Sequence, residues 1–157
     1  MTNIAIHVIH PGSPEVATCA RWRVEAFAGV LGPTFEDERR SLEAFVADQT
    51  QQVALFATRG GVPAGTCLLV PNEIDPKHAV SPWLAGLYVT PEHRRFGVGR
   101  TLVRAIEEHA RTRGHVRLHL YTDDAGAYYE RLGWRTVDRV DWKGYPTALM
   151  VRDLGSE

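Results

Sequence analysis

Cysteine is scarce: the chain has two, Cys19 and Cys67, with no CxxC spacing and no histidine beside them in a metal-ligand pattern. That excludes a disulfide scaffold and gives no metal site. Both read as small, partly buried apolar residues in a reducing compartment. No stretch approaches the ~20 apolar residues of a membrane span. The opening MTNIAIHVIHPG lacks the basic start and long apolar core of a signal peptide. A cytoplasmic protein without a membrane partner is expected. A basic excess is missing too, with 18 Lys and Arg against 19 Asp and Glu and a net charge of −1. A protein that coats nucleic acid usually carries a clear positive balance. What is present is 157 residues, 44% apolar and 24% charged. That suits a single domain over residues 1–157 with a real core.

Residues 4–9, IAIHVI, read as a strand. Ser13 then reads as an N-cap, with Pro14 at the first helical position and Glu15 in the first turn. Apolar residues at 16, 20, 24, 27 and 31 keep helical spacing, and Gly32 and Pro33 end that helix. A second helix is predicted over 36–49. QQVALFATR (51–59) and VPAGTCLLVP (62–71) form a hairpin. A polar loop occupies 72–82. WLAGLYV (83–89) is almost wholly apolar, as for a central strand covered on both faces. Val98 to Arg113 is the strongest helix, closed by Gly114. A strand over 116–122, a short Asp-capped helix over 123–132, and strands over 134–140 and 147–152 complete the chain. The fold class is α/β (α+β): a mixed central sheet with helices on both faces, in the order β-α-α-β-β-β-α-β-α-β-β.

The informative stretch is PEHRRFGVGR (91–100), between the central strand and the strongest helix. The first-turn amides of a helix lack intrahelical partners, and its dipole adds partial positive charge. Gly97 and Gly99 let backbone approach a ligand closely. Arg94, Arg95 and Arg100 bring full charges to the same place. This describes a site for a pyrophosphate or several phosphates; the bland alternative is a tight turn with solvated arginines. The loop lacks the lysine of a P-loop. It also lacks the third glycine and downstream acid of a dinucleotide fingerprint, since Leu102 and His119 stand there.

Arg94-Arg95-Phe96-Gly97-Val98-Gly99 resembles the R-x-x-G-x-G acyl-CoA loop of the GNAT superfamily of N-acyltransferases. AYYERLGW (127–134) is similar to that superfamily's (F/Y)YE-x-LG(F/W) segment. A helix and a strand separate the two motifs, as in the family, and the element order matches across nearly the whole chain.

The resemblance implies an acetyltransferase that binds acetyl-CoA as co-substrate, without a metal. By resemblance, backbone groups of Leu87, Tyr88 and Val89 hold the pantetheine arm. An N–H there polarises the thioester carbonyl, a fixed donor aimed at developing charge. The amides from Arg95 through Gly97, Val98, Gly99 and Arg100 to Thr101 hold the pyrophosphate, with Arg94, Arg95 or Arg100 reaching outer phosphates. Many members carry glycine where this chain has Arg95 and a basic residue where it has Phe96. Tyr129 matches the family's general acid, a phenol of pKa near 10 that can protonate the leaving thiolate. Its rival reading is a core aromatic beside Tyr128. The family often has Asn a few residues earlier; here Asp123 and Asp124 stand there, one of them read as the helix cap.

Some members place a Glu base on the central strand, and WLAGLYV has none. Glu25, Asp75, His78, Glu92 and His119 are the candidates, each with a structural alternative. The acceptor pocket is expected from the first two helices, the 72–83 loop and the last hairpin, whose aromatics are Trp22, Phe27, Phe35, Trp83, Trp142 and Tyr145. EDER (36–39) either favours a cationic amine or is an acidic first helical turn.

The expected reaction is direct transfer of acetyl from acetyl-CoA to a primary amine, small or peptidic, in a ternary complex. No cysteine is expected near the motifs, so nothing suggests a covalent acyl-enzyme. A non-catalytic acyl-CoA sensor is the alternative from another class. A nucleic-acid domain built on the arginines of 94–104 is opposed by the near-neutral charge and the lack of interleaved aromatics. A homodimer paired on the final strands stands open.

Overall fold

The computed structural model describes residues 2–26 and 34–155. The expectations placed on Phe27, Gly32 and Pro33 lie outside them. Seven strands and four helices follow in the expected order. They are β1 (Ile4–Val8), α1 (Pro14–Ala26), α2 (Phe35–Val46), β2 (Val53–Arg59), β3 (Val62–Val70) and β4 (Trp83–Val89), then a 3-10 turn at Pro91–His93. After it come α3 (Val98–Thr112), β5 (Arg117–Thr122), α4 (Gly126–Arg131), β6 (Arg135–Trp142) and β7 (Tyr145–Asp153).

The strands form one sheet in the order β1-β2-β3-β4-β5-β7-β6. Every pairing is antiparallel except β4 with β5. β2 shows how the sheet separates two cores. Val53, Leu55 and Ala57 face the α3 side with Val98, Leu102 and Ile106. Ala54 and Phe56 face the α1 and α2 side with Val16, Trp22, Leu42 and Val46. Period-2 alternation makes one strand serve both layers.

Local differences from the sequence expectation have local causes. Helix α2 starts at Phe35 because Thr34 caps it: Asp37 N donates to Thr34 Oγ1 at 3.1 Å, and Thr34 N donates to Asp37 Oδ2 at 3.2 Å. Ser13 precedes α1 as expected, but its buried Oγ has no partner, so it is not a side-chain cap. Neither Asp123 nor Asp124 caps α4. Its N-cap is Ala125, whose N–H donates to Thr122 Oγ1. The last hairpin turns within Lys143-Gly144, so Trp142 and Tyr145 are strand residues.

Strand β4 is not a uniformly covered central strand. Thr66 pairs with Tyr88 and Leu68 with Ala85, so β4 holds one residue more than β3 between those pairs. Gly86, at φ +63°, takes the bulge; its place inside a strand was the sequence sign of it. On the other side β4 pairs with β5 only at Trp83↔His119. The C-terminal half of β4 is thereby freed from β5.

Among the described residues no helix is long and apolar enough to cross a membrane. None group as three or more His, Cys, Asp or Glu able to hold a metal ion.

Candidate active site

A cavity of about 480 Å³ opens where β4 leaves β5, lined by Leu87, Tyr88 and Val89, the loop from His93 to Arg100 except Phe96, Ala125 and Tyr128. The structure thus gathers Arg94, Arg95, Gly97, Val98, Gly99 and Arg100 around one space with the end of β4. Thr101 is not in its lining; its N–H makes the first bond of α3, to Gly97 O at 3.0 Å. The amides just before it have no helical partner and crown the cavity.

Backbone conformation explains the glycine pattern. Gly97 caps α3 at φ +90°, where a side chain is strained. At Gly99 a Cβ would lie 2.7 Å from Tyr128 Oη. Arg95 also has positive φ, +69°, the conformation that glycine adopts freely. A charged side chain therefore stands at a left-handed position of the loop.

The arginines differ. Arg94 is tied back, its Nε donating to Val89 O at 2.9 Å. Arg95 and Arg100 make no salt bridge among the described residues. Phe96 turns outward, with the Arg59 guanidinium 3.7 Å from its ring centre. His93 was not foreseen. It is buried, lines the cavity, and leaves Nδ1 without a partner.

Tyr129 and Tyr128 meet edge to face at 5.2 Å and divide the work. Tyr128 lines the cavity. Tyr129 is 7% exposed and packs in the α3-side core against Trp134. Burial pushes both phenols above the ordinary tyrosine value. Cys67, distant in sequence, is near enough to add to both shifts. The expectation that no cysteine accompanies the motifs therefore holds along the chain and fails in space. Burial raises the Cys67 thiol to about 12, so it is protonated and a poor nucleophile at neutral pH.

Behind Tyr129, the motif's Trp134 donates from Nε1 to buried Glu107 Oε2 at 3.1 Å. Glu107 also accepts from Arg104 and pairs with Arg152, tying α3 to β7.

A second cavity, of about 710 Å³, lies on the opposite face between α1, α2 and the β3–β4 strands. It shares Leu87 and Tyr88 with the first, so the two meet across β4. Trp22 lines it, whereas Phe35, Trp83, Trp142 and Tyr145 do not. Within EDER, Asp37 completes the capping box with Thr34, Glu36 pairs with Arg39, and only Glu38 reaches this cavity, paired with Arg23 at 3.3 Å.

None of Glu25, Asp75, His78, Glu92 and His119 lines either cavity. His119 is buried, its Nδ1 3.0 Å from Pro82 O. Desolvation, outweighing that bond, lowers its pKa. His78 joins Tyr121 Oη and Asp138 Oδ2, each at 2.8 Å. The carboxylate can only accept, so His78 Nε2 donates to Asp138. Lys77 N donates to the same phenol, which clamps the 72–82 loop to β5 and β6.

These features agree with comparison to known proteins. The family model described as "Acetyltransferase (GNAT) family" matches residues 17–134, and the chain belongs to that family. No curated protein matches this sequence. The fold is similar to an aminoglycoside 6'-N-acetyltransferase complexed with coenzyme A: TM-score 0.74, 16% identity, 98% of each chain covered. It is also similar to the GNAT-family acetyltransferase from Streptococcus pneumoniae: TM-score 0.73, 17% identity, 98% of this chain and 100% of that one. A third is the aminoglycoside 6'-N-acetyltransferase from Enterococcus faecium: TM-score 0.72, 16% identity, 98% of each chain.

Proposed function

We propose that the chain is one catalytic domain that transfers acetyl from acetyl-CoA to a primary amine in a ternary complex. The observation that carries this is the junction of two cavities at Leu87–Tyr88, one edged by the helix N-terminus and arginines, the other walled by α1 and α2. The amides from Arg95 to Arg100, with Arg95 and Arg100 as unpaired cations, hold the pyrophosphate. His93 Nδ1 gains a partner from the bound cofactor. Leu87, Tyr88 and Val89, freed from β5 by the bulge, bind the pantetheine arm and present an N–H to the thioester oxygen.

The neutral amine attacks the acetyl carbon. A C–N bond forms, the C–S bond breaks, nitrogen releases its proton to water, and sulfur is protonated by the tyrosine pair, Tyr129 as the acid and Tyr128 as its neighbour on the cavity wall. Solvent then restores the phenol. The acceptor enters as its ammonium and gives that proton to water before the attack, so the step uses no carboxylate on β4. Cys67 carries no acyl group because its thiol stays protonated. The buried free thiols suit a reducing cytoplasm.

Release of CoA thiol from acetyl-CoA, followed across a broad amine panel, tests this. Turnover with any amine supports transfer. Tight acetyl-CoA binding without turnover on the whole panel would favour the acyl-CoA sensor instead, a reading supported by the absence of a carboxylate on β4.

A further inference from the structure

The cavity on the α1 and α2 side is chemically unlike a site for a hydroxyl-rich polycation. Its walls are apolar: Trp22, Phe45, Leu68, Val70, Ile74 and Leu87 all line it. Part of its polar lining is engaged, whereas the side chains of Ser41, Asn72 and Tyr88 have no hydrogen-bond partner among the described residues. Thr66 Oγ1 donates to Leu55 O at 2.7 Å. Gln52 Nε2 donates to Phe45 O at 3.0 Å and Asp48 O at 3.2 Å. Arg23 and Glu38 neutralise each other.

One carboxylate is left over. Glu73, in the loop after β3, accepts only from the neighbouring Ile74 N and makes no ion pair among the described residues. Beside it Ile74 is 68% exposed, an apolar side chain at the rim. The lining therefore offers one net negative charge beside a broad apolar wall.

From these observations we infer that the acceptor is a monocationic primary amine with an apolar body of phenylalkyl size, its body against Trp22, Phe45 and Leu68 and its charge answered by Glu73. An aminosugar entering this space would surrender hydration from many hydroxyls and meet only Ser41, Asn72, Tyr88 and Glu73 as free side-chain partners beside the apolar wall. Several ammonium groups would face a single unpaired carboxylate. A phenylalkyl amine loses little on entry and gains the apolar contact. This substrate class rests on the acetyltransferase reading, since it makes the cavity an acceptor site.

The test is calorimetric titration of the full chain, saturated with CoA, with 4-phenylbutylamine, kanamycin and spermine in turn. The expected result is a Kd for 4-phenylbutylamine at least tenfold below the other two. Ser41→Trp, at an exposed helical position on the cavity wall, should raise that Kd at least tenfold with CoA affinity unchanged. Glu73→Gln should weaken 4-phenylbutylamine severalfold and leave the uncharged 4-phenylbutanol unaffected. Equal or tighter binding of kanamycin or spermine, no binding of 4-phenylbutylamine, or indifference to both substitutions would overturn the inference.

Thiol release separates the two claims. Acetylation of kanamycin with the higher kcat/KM would preserve the transferase and refute the pocket chemistry. Selective binding of 4-phenylbutylamine with no thiol release from acetyl-CoA would preserve the pocket chemistry and refute the transferase.

Discussion

Trp83 and His119 form the one registered Cα pair between the parallel strands β4 and β5; beyond it the strands part. The Gly86 bulge bends β4 just after this pair, and the phosphate-type loop follows at its end. The site is thus a local failure of sheet pairing, held open by a backbone feature.

That geometry makes Gly97 and Gly99 separable. Gly97→Val forces a branched side chain to φ +90° and should cost roughly 1–2 kcal/mol of stability. At Gly99→Ala the obstructing atom is the free end of Tyr128. The ring can swing aside into the cavity, so stability should change little while CoA affinity falls at least tenfold. Urea unfolding and calorimetry with CoA read both quantities. Unchanged CoA affinity in both variants would dismiss the loop as the cofactor site.

Arg95→Gly relieves a left-handed arginine at φ +69°. The gain, up to about 1 kcal/mol, is reduced by glycine's greater freedom when unfolded. Stability should equal or exceed that of the parent, while CoA affinity falls and becomes less sensitive to salt. A marked loss of stability would show that the guanidinium, rather than the backbone, holds the loop.

Tyr129→Phe should leave acetyl-CoA affinity intact and lower kcat by about 10²-fold or more, the range of a lost general acid. Because burial raises its pKa, Tyr129 remains protonated well above neutrality. The pH profile of kcat should then show no alkaline limb from this residue up to about pH 10. If Tyr128→Phe gives the large loss and Tyr129→Phe does not, the acid is the cavity-lining tyrosine.

Burial depresses the His119 pKa below its unfolded value of about 6.5. The unfolded chain therefore binds a proton that the folded chain refuses. The contribution of His119 to stability is full above about pH 6.5 and is lost as pH falls towards the folded pKa. His119→Asn removes the titration, so the fall in Tm between pH 7 and 5 should flatten. A residual slope is expected from His109, whose pKa burial also lowers. An unaltered Tm–pH curve would place the acid sensitivity elsewhere.

Glu107→Leu strips acceptors from Trp134, Arg104 and Arg152 at once, and should cost about 2–4 kcal/mol. Glu107→Gln retains an acceptor for the indole and should cost less. Equal costs would mean the charge, not the hydrogen bond to Trp134, carries the effect.

The sequence by itself determined the elements and the loop. Apolar spacing together with turn and stop residues placed the seven strands and four α-helices of the described residues, because burial imposes period 2 on strands and 3.6 on helices. Gly97 and Gly99 were legible because positive φ and close approach restrict residue type. Thr34 was overlooked, although a Thr with an acid three residues on is a local signal. Gly86 was overlooked too, although an isolated glycine in a strand marks a bulge.

Only the tertiary structure decided what depends on residues distant in the chain. It set Cys67 beside the motif tyrosines, tied Arg94 back to Val89, and joined the two cavities at Leu87–Tyr88. It also left Glu73 without an ion pair among the described residues while Arg23 took Glu38. Periodicity encodes which face of an element is buried. Which side chains meet across the sheet, and which charge is left without a partner, follows from the packing of all the elements together.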